Sequence, residues 1–203
     1  MGATDILTLA EAKEALQQEV SQSAHENVLA GYISAVSLAF DERFGPVVIR
    51  TVTDEAHSGG QESIWLRKAP VSQVTTFTEY SGTASTVLTA ETFGTAPANG
   101  YLLDPVTGRV LRRSGGATTT FAVGDRNLRV TYQAGRYADT ASVDARFKLG
   151  AQIMLAHIFR RQFAGGTVTY GDEFTGQFGT PSFSVPNAVL ELLADELLPG
   201  GIA

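Results

Sequence analysis

The residues in this chain that could do chemistry are few and scattered. Its three histidines, His25, His57 and His157, fall in three separate regions, and no two share the i, i+4 spacing with which one helix holds a metal. A histidine needs a positioned partner as well as a suitable pKa to act as a base, so none of the three is expected to be catalytic. Carboxylates are adjacent at Asp54-Glu55, Asp172-Glu173 and Asp195-Glu196. Neighbours along a strand point to opposite faces, which is poor geometry for a shared acid–base site. Asp172-Glu173, set among aromatic residues and glycines, could make an exposed calcium or substrate contact, but a solvated loop is the expectation. There is no cysteine, which excludes disulfides, thiolate metal sites and a thiol nucleophile. No phosphate-binding loop, dinucleotide fingerprint, nucleophile elbow or zinc spacing occurs. No catalytic residue, cofactor or metal is therefore expected.

What remains is material for interfaces. Arg109, Arg112 and Arg113 follow the turn after Asp104, and Arg160-Arg161 close a helical stretch. The last two either complement the negative C-terminal end of their helix or form ion pairs across a subunit boundary, where Arg is the preferred cation. Tyr170, Phe174, Phe178 and Phe183 are spaced among Gly and Thr in a stretch, 167–184, longer than the usual connector of about four to six residues. Such aromatics can tuck onto their own domain or dock on a partner that orders them. Leu198 and Ile202 sit in a short apolar tail. These arginines, Tyr170, Phe174, Phe178, Leu198 and Ile202 are the expected partner or subunit contacts.

Composition narrows the class. Only 18% of the 203 residues are charged and the formal net charge is -6, which argues against a sequence-independent nucleic-acid binder. Such a surface can still lie beside DNA, because it does not grip the phosphates. Met1–Asp5 is not the start of a signal peptide, and no apolar run approaches the roughly 20 residues that span a bilayer. A soluble protein without a membrane partner is expected, assembled in the cytoplasm.

The elements that must position these residues are legible from period and punctuation. Thr8 and Glu11 form a capping box for a helix over Leu9–Gln18, and Ser23 and Glu26 repeat the device. The longer helix they open carries Val28, Leu29, Tyr32, Ile33, Val36 and Phe40 at helical spacing, and Gly45-Pro46 ends it. The period then changes to two. Strands are predicted at Val47–Thr53, Ser63–Arg67, Val71–Tyr80, Thr86–Thr92, Gly100–Leu103, Arg109–Arg112 and Leu128–Gln133. Asp104-Pro105-Val106-Thr107-Gly108 is a hairpin signal, and Ser114–Thr120 reads as an exposed loop. Trp65, within an apolar strand, is expected to be buried. A helix over Val143–Phe163 follows, which Ser142 can cap, with Phe147, Ala151, Met154, Ile158 and Phe159 on its apolar face. After Gly165-Gly166 a last helix begins at Pro186, with Val189, Leu190, Leu193 and Leu197 in a stripe. The fold class is α+β: a bundle of about four helices with an inserted antiparallel β-lobe. Residues 1–45 supply the first helices, 46–135 the lobe, and 136–203 the helices, loop and tail that complete the bundle.

Several motifs taken in order carry a resemblance. Leu7-Thr8-Leu9-Ala10-Glu11-Ala12-Lys13 opens the helices. Leu66 and Pro70-Val71-Ser72-Gln73-Val74 mark a strand break, and Tyr101-Leu102-Leu103-Asp104 with Gly108-Arg109-Val110 forms a turn-and-strand unit. Val130-Thr131-Tyr132-Gln133-Ala134-Gly135 closes a strand before the helix over Val143–Arg161. In this order and spacing the chain resembles the head–tail connector (adaptor) proteins of tailed double-stranded DNA bacteriophages. The resemblance implies a non-enzymatic virion neck protein, assembled as a dodecameric ring below the portal. It would extend the channel through which genomic DNA passes without sequence-specific binding. Its implied partners are the portal protein, a stopper or tail-terminator or other tail protein, and itself. The portal contact would involve the C-terminal segment, here the tail after Leu197. The chain departs from the pattern in a longer β-lobe and in the loop 165–184. Two other readings stand beside it: a head-completion or tail-terminator protein, and a carbohydrate-binding β module stacking sugars on Trp65 and Tyr80.

Overall fold

The computed structural model describes residues 2–16, 26–163 and 185–196. The chain divides into two units, one drawn from Met1–Arg43 and Thr140–Leu197 and the other built on Phe44–Asp139. The fold is mixed α+β, with four α-helices and two β-sheets among the described residues.

In the helical unit, α1 spans Leu9–Ala15, α2 Glu26–Phe44, α3 Ala145–Phe163 and α4 Asn187–Leu192, followed by a 3-10 turn at Ala194–Glu196. The expected capping box is present: the Glu11 amide donates to Thr8 Oγ1 at 3.2 Å, and the Thr8 amide donates to the Glu11 carboxylate at 2.8 Å. This device satisfies two amides that a helix start leaves unpaired. α1 is shorter than predicted, with Leu16 as its C-cap, and the Ser23 cap lies outside the described residues. α3 starts at Ala145, and Asp144 stands at its head: its carboxylate accepts from the Arg146 amide at 2.8 Å and its carbonyl from the Lys148 amide at 3.1 Å. Asp144, two residues beyond the expected Ser142, therefore takes the capping position.

Leu29, Ile33, Val36 and Phe40 of α2 are buried, as are Phe147, Ala151, Met154 and Phe159 of α3 and Val189 and Leu193 at the C-terminal end. Val28 departs from the predicted stripe: it is 41% exposed, because it lies one residue, or about 100°, around the helix from Leu29. Three helices meet at Gly150, where an added Cβ would lie 3.2 Å from Val189 and 3.3 Å from the Phe40 ring. The N-terminal turn is tied in by polar contacts, with the Ile6 amide donating to Ser37 Oγ at 3.0 Å and Thr140 Oγ1 to the Asp5 carbonyl at 2.6 Å.

In the β unit the strands are β1 Arg50–His57, β2 Ser63–Trp65, β3 Val71–Ser81, β4 Ala84–Val87, β5 Thr89–Ala90, β6 Gly100–Leu103, β7 Arg109–Ser114, β8 Ala117–Thr118 and β9 Leu128–Ala134. The first sheet has the order β1-β9-β3-β4; the second runs β2-β7-β6-β5, with β8 paired to β7. Every pairing is antiparallel except the two-residue β5–β6 contact. The inward residues of both sheets share one core of Ile64, Leu66, Phe77, Tyr101, Val110, Phe121, Leu128, Val130 and Tyr132. The Phe77 ring lies 5.4 Å from Tyr101 and 5.6 Å from Phe121, within the range of favourable aromatic pairs.

The predicted strand Thr86–Thr92 is split at Leu88. Ahead of it β4 pairs with β3 in one sheet, and after it β5 pairs with β6 in the other. The Leu88 side chain is buried at this corner, and its amide donates to the Phe77 carbonyl at 2.8 Å. Ala117–Thr118, expected as loop, adds a short strand to β7. Gly135, at φ 139°, sits where a Cβ would come within 2.6 Å of the Ile49 backbone, so the glycine lets two chain segments cross in contact. The Ala69-Pro70 peptide is cis.

Candidate interface surfaces

The strand β1 carries one extra residue between Val52 and Glu55 relative to β9. Asp54 occupies this bulge at φ 54°, and a bulge re-aims the side chains beyond it. Glu55 consequently points into the unit, while Asp54 faces outward and pairs with Arg129 at 2.9 Å. The two carboxylates diverge, as their adjacency predicts. Buried Glu55 accepts at Oε1 from His57 Nε2 (2.6 Å) and the Arg67 amide (3.0 Å), and at Oε2 from the Tyr132 hydroxyl (2.8 Å). The same hydroxyl accepts from the Lys68 amide at 3.1 Å.

Burial pushes the Glu55 pKa up, but the bonds from His57, the Arg67 amide and Tyr132 outweigh it and hold the carboxyl below its ordinary value. Burial, reinforced by the bond to Glu55, raises the Tyr132 phenol well above its usual range. Each oxygen of this cluster serves the internal network, and its visible effect is to pin the backbone at Arg67 and Lys68. His157 is exposed on α3, and His25 and Asp172-Glu173 lie outside the described residues. Glu196 is bonded to Arg146 at 3.2 Å, and Asp195 beside it is exposed. Among the described residues no group of three or more His, Asp or Glu side chains is placed to hold a metal ion.

Arg112 cannot serve as an outward contact. It is buried between the sheets, where its Nε and Nη2 donate to Glu79 Oε2 at 3.3 and 3.0 Å, and Nη1 donates to the Gly100 carbonyl at 3.1 Å. Glu79 Oε1 accepts from the Ala122 amide at 2.7 Å. The alternation of β7 turns Val110 and Arg112 inward and Arg109, Leu111 and Arg113 outward. Arg113 pairs with Glu91 at 3.0 Å and bonds Thr118 Oγ1 at 2.9 Å. Arg109 is exposed, with its guanidinium carbon 5.8 Å from the centre of the Trp65 ring. Arg160 and Arg161 fall within α3, but their side chains, like Tyr170, Phe174, Phe178, Leu198 and Ile202, lie outside the described residues.

Trp65 corrects an expectation. It is 47% exposed, because β2 alternates and Ile64 and Leu66 take the inward positions. It stands directly opposite Arg109 in the β2–β7 register. Arg67, Lys68 and Val106 are exposed beside this pair. The Leu66 amide donates to the Gly108 carbonyl at 3.0 Å, and a Cβ on Gly108 would lie 3.3 Å from that of Ala69. Turn and strand end are thus held flush. The Asp104 carboxylate fixes the turn itself, accepting from Thr107 Oγ1 at 2.6 Å and the Val106 amide at 3.0 Å. A second outward apolar residue, Phe93, stands fully exposed in a hairpin turn closed by the Thr92–Thr95 pair. Sequence reasoning placed Trp65 inside, naming it as a surface residue only in the carbohydrate-binding alternative, and missed Arg67, Lys68 and Phe93. The alternation Ser63-Ile64-Trp65-Leu66 held the signal for Trp65.

No protein-family model and no curated protein sequence matches the chain. Solved structures do. The chain is similar over its full length to 96% of a chain in the neck of an empty GTA particle computed with C6 symmetry, at TM-score 0.62 and 18% identity. It is also similar to a chain in the virion of a native gene transfer agent (GTA) particle, with 98% of this chain and 92% of that one covered, TM-score 0.57 and 16% identity. A third likeness, to a chain in the neck of a native GTA particle computed with C12 symmetry, covers 100% of this chain and 98% of that one, at TM-score 0.52 and 16% identity. At these identities the likeness establishes a shared fold across both units.

Proposed function

We propose that this protein is a structural subunit of the neck of a phage-like particle, and within it a connector or adaptor forming a ring below the portal. One observation carries the reading: a fold shared along the entire chain, helical and β units alike, with chains of GTA necks computed with C6 and C12 symmetry. The motifs that resemble phage connectors support it independently, because they are features of the sequence and not of the fold comparison. Their residues also hold the scaffold: Tyr132 and Gly135 at a crossing of segments, and Asp104 and Gly108 in the fixed turn.

A ring closes when a heterologous interface repeats through a rotation that returns on itself. Each copy then needs two different complementary surfaces, and the two units offer chemically unlike candidates. In this reading segments 1–45 and 136–203 act as the helical body and 46–135 as the inserted lobe. Arg160, Arg161, Tyr170, Phe174, Phe178, Leu198 and Ile202 supply contacts to the portal and to the next neck or tail protein. DNA passes through the channel without base-specific grip, and the role is non-enzymatic.

The test is to mix the purified chain with the portal protein of the same particle and to image the product. A ring stacked coaxially on the portal is expected; a chain that binds only the distal neck or tail would make it a head-completion or tail-terminator protein instead. The exposure of Trp65 favours one further reading, a carbohydrate-binding module. Against it, Arg109 already lies over the indole ring. A glycan-dependent rise in melting temperature, lost in Trp65→Ala, would establish that alternative.

A further inference from the structure

The charges of this chain are divided unevenly between its units. Of the 21 acidic residues, 13 belong to the sequence of the helical unit and eight to the β unit; of the 15 basic residues, six and nine. Within the β unit Arg112 forms an ion pair with Glu79, Arg113 with Glu91 and Arg129 with Asp54, all carboxylates of the same unit. Arg67, Lys68 and Arg109 form no ion pair among the described residues, Asp104 acting on Arg109 only at longer range. All three are exposed on the two adjoining segments, 65–68 and 104–109, that also carry Trp65 and Val106. Their backbone is fixed from below by Glu55 and Tyr132. A rigid patch of aromatic, aliphatic and Arg side chains is the composition of an interface centre.

Unpaired acids lie in the other unit. Glu191 and Asp195, one helical turn apart at α4 and the turn after it, are exposed and have no cationic partner among the described residues. We propose that the Trp65–Arg67–Lys68–Arg109 patch is a docking face for the helical unit of a second copy of this chain, meeting it at Glu191 and Asp195. The inference rests on the ring reading above and adds to it which surfaces join. Nucleic acid is the less suited occupant: three cations around an apolar centre fall short of the continuous basic face that phosphate binding uses, whereas the chain itself carries the complementary charges.

A charge swap tests it on the full-length protein. Two variants are made, Arg67→Glu/Lys68→Glu and Glu191→Lys/Asp195→Lys, and assembly is followed by sedimentation and electron microscopy against the unmodified chain. Each variant alone sets like charges face to face, so its assembly is expected to weaken by about tenfold or more. In a one-to-one mixture every junction again pairs opposite charges, so rings of alternating variants are expected. Recovery on mixing also shows that both variants are folded. Variants that assemble alone as well as the unmodified chain, or losses that mixing does not repair, overturn the docking face and leave the ring reading standing. An unmodified chain that stays monomeric at every concentration, with and without portal, defeats the ring reading, and the self-docking proposal with it. Salt-sensitive binding of a DNA duplex that vanishes in Arg67→Glu/Lys68→Glu would assign the patch to nucleic acid and likewise overturn it.

Discussion

Arg112 and Glu79 illustrate how a charged pair survives between two sheets. Desolvating both ions is unfavourable, and the attraction between them compensates only when the remaining donors and acceptors are also met. Here the Gly100 carbonyl and the Ala122 amide meet them. Arg112→Ala would strand a buried carboxylate and should lower unfolding free energy by about 3–5 kcal/mol, measured by urea denaturation. Replacing both residues with apolar ones of similar volume should be far milder. Glu55 makes a different statement. Its folded pKa is depressed, so its stabilisation is complete above the unfolded value of about 4.3 and is lost as pH falls through the folded value. Melting temperature should therefore drop in acid below about pH 4, and Glu55→Gln should flatten that part of the profile while lowering stability at neutral pH. A profile unchanged by the substitution would refute this account of the cluster.

The helices and strands were readable to different degrees, and the reasons are physical. Capping chemistry is local, so Thr8 with Glu11 marked the start of α1 and Gly45-Pro46 the end of α2. The alternation of β9 was equally plain, because each second residue from Leu128 to Ala134 is buried. Where the chain changes partner, period alone fails: Leu88 turns from one sheet to the other inside what reads as a single strand. Bulges defeat it as well. The extra residues in β1 and β3 shift the inward face mid-strand, and that shift is what brings Glu55 to Tyr132. Of the expected contact residues, Arg112 was misread because its charge suggested a surface that the alternation around Val110 denies. Helix contact is also set by absences of side chain, as at Gly150. Gly150→Val should destabilise by about 1–3 kcal/mol in thermal or chemical unfolding, since Phe40 and Val189 leave the added methyls little room. Gly31, which has no neighbour within 4 Å of an added Cβ, should accept Ala with no loss.

At the scale of the whole molecule, the acidic helical sequence and the slightly basic β unit would make the proposed ring assembly an electrostatic matter as well as a geometric one. Raising ionic strength should weaken self-association, because exposed charges are screened beyond about 8 Å at physiological salt. Light scattering at graded salt would show this; assembly that strengthens with salt would point to an apolar seam centred on residues such as Phe93 and Leu102. No helix among the described residues is long and apolar enough to cross a membrane.

The division of the chain also bears on its synthesis. The helical unit is written in two pieces, with the β unit between them, so a ribosome releases every strand before it has made α3. A polypeptide leaving the tunnel can complete its sandwich early, by contacts wholly inside one continuous stretch, whereas α1 and α2 must wait for their later helices. Bringing those distant pieces together has a loop-closure entropy that a folded insert shortens considerably. Birth order thus favours a protein whose β unit is finished first and whose helical unit, the acidic half, is the last part to fold.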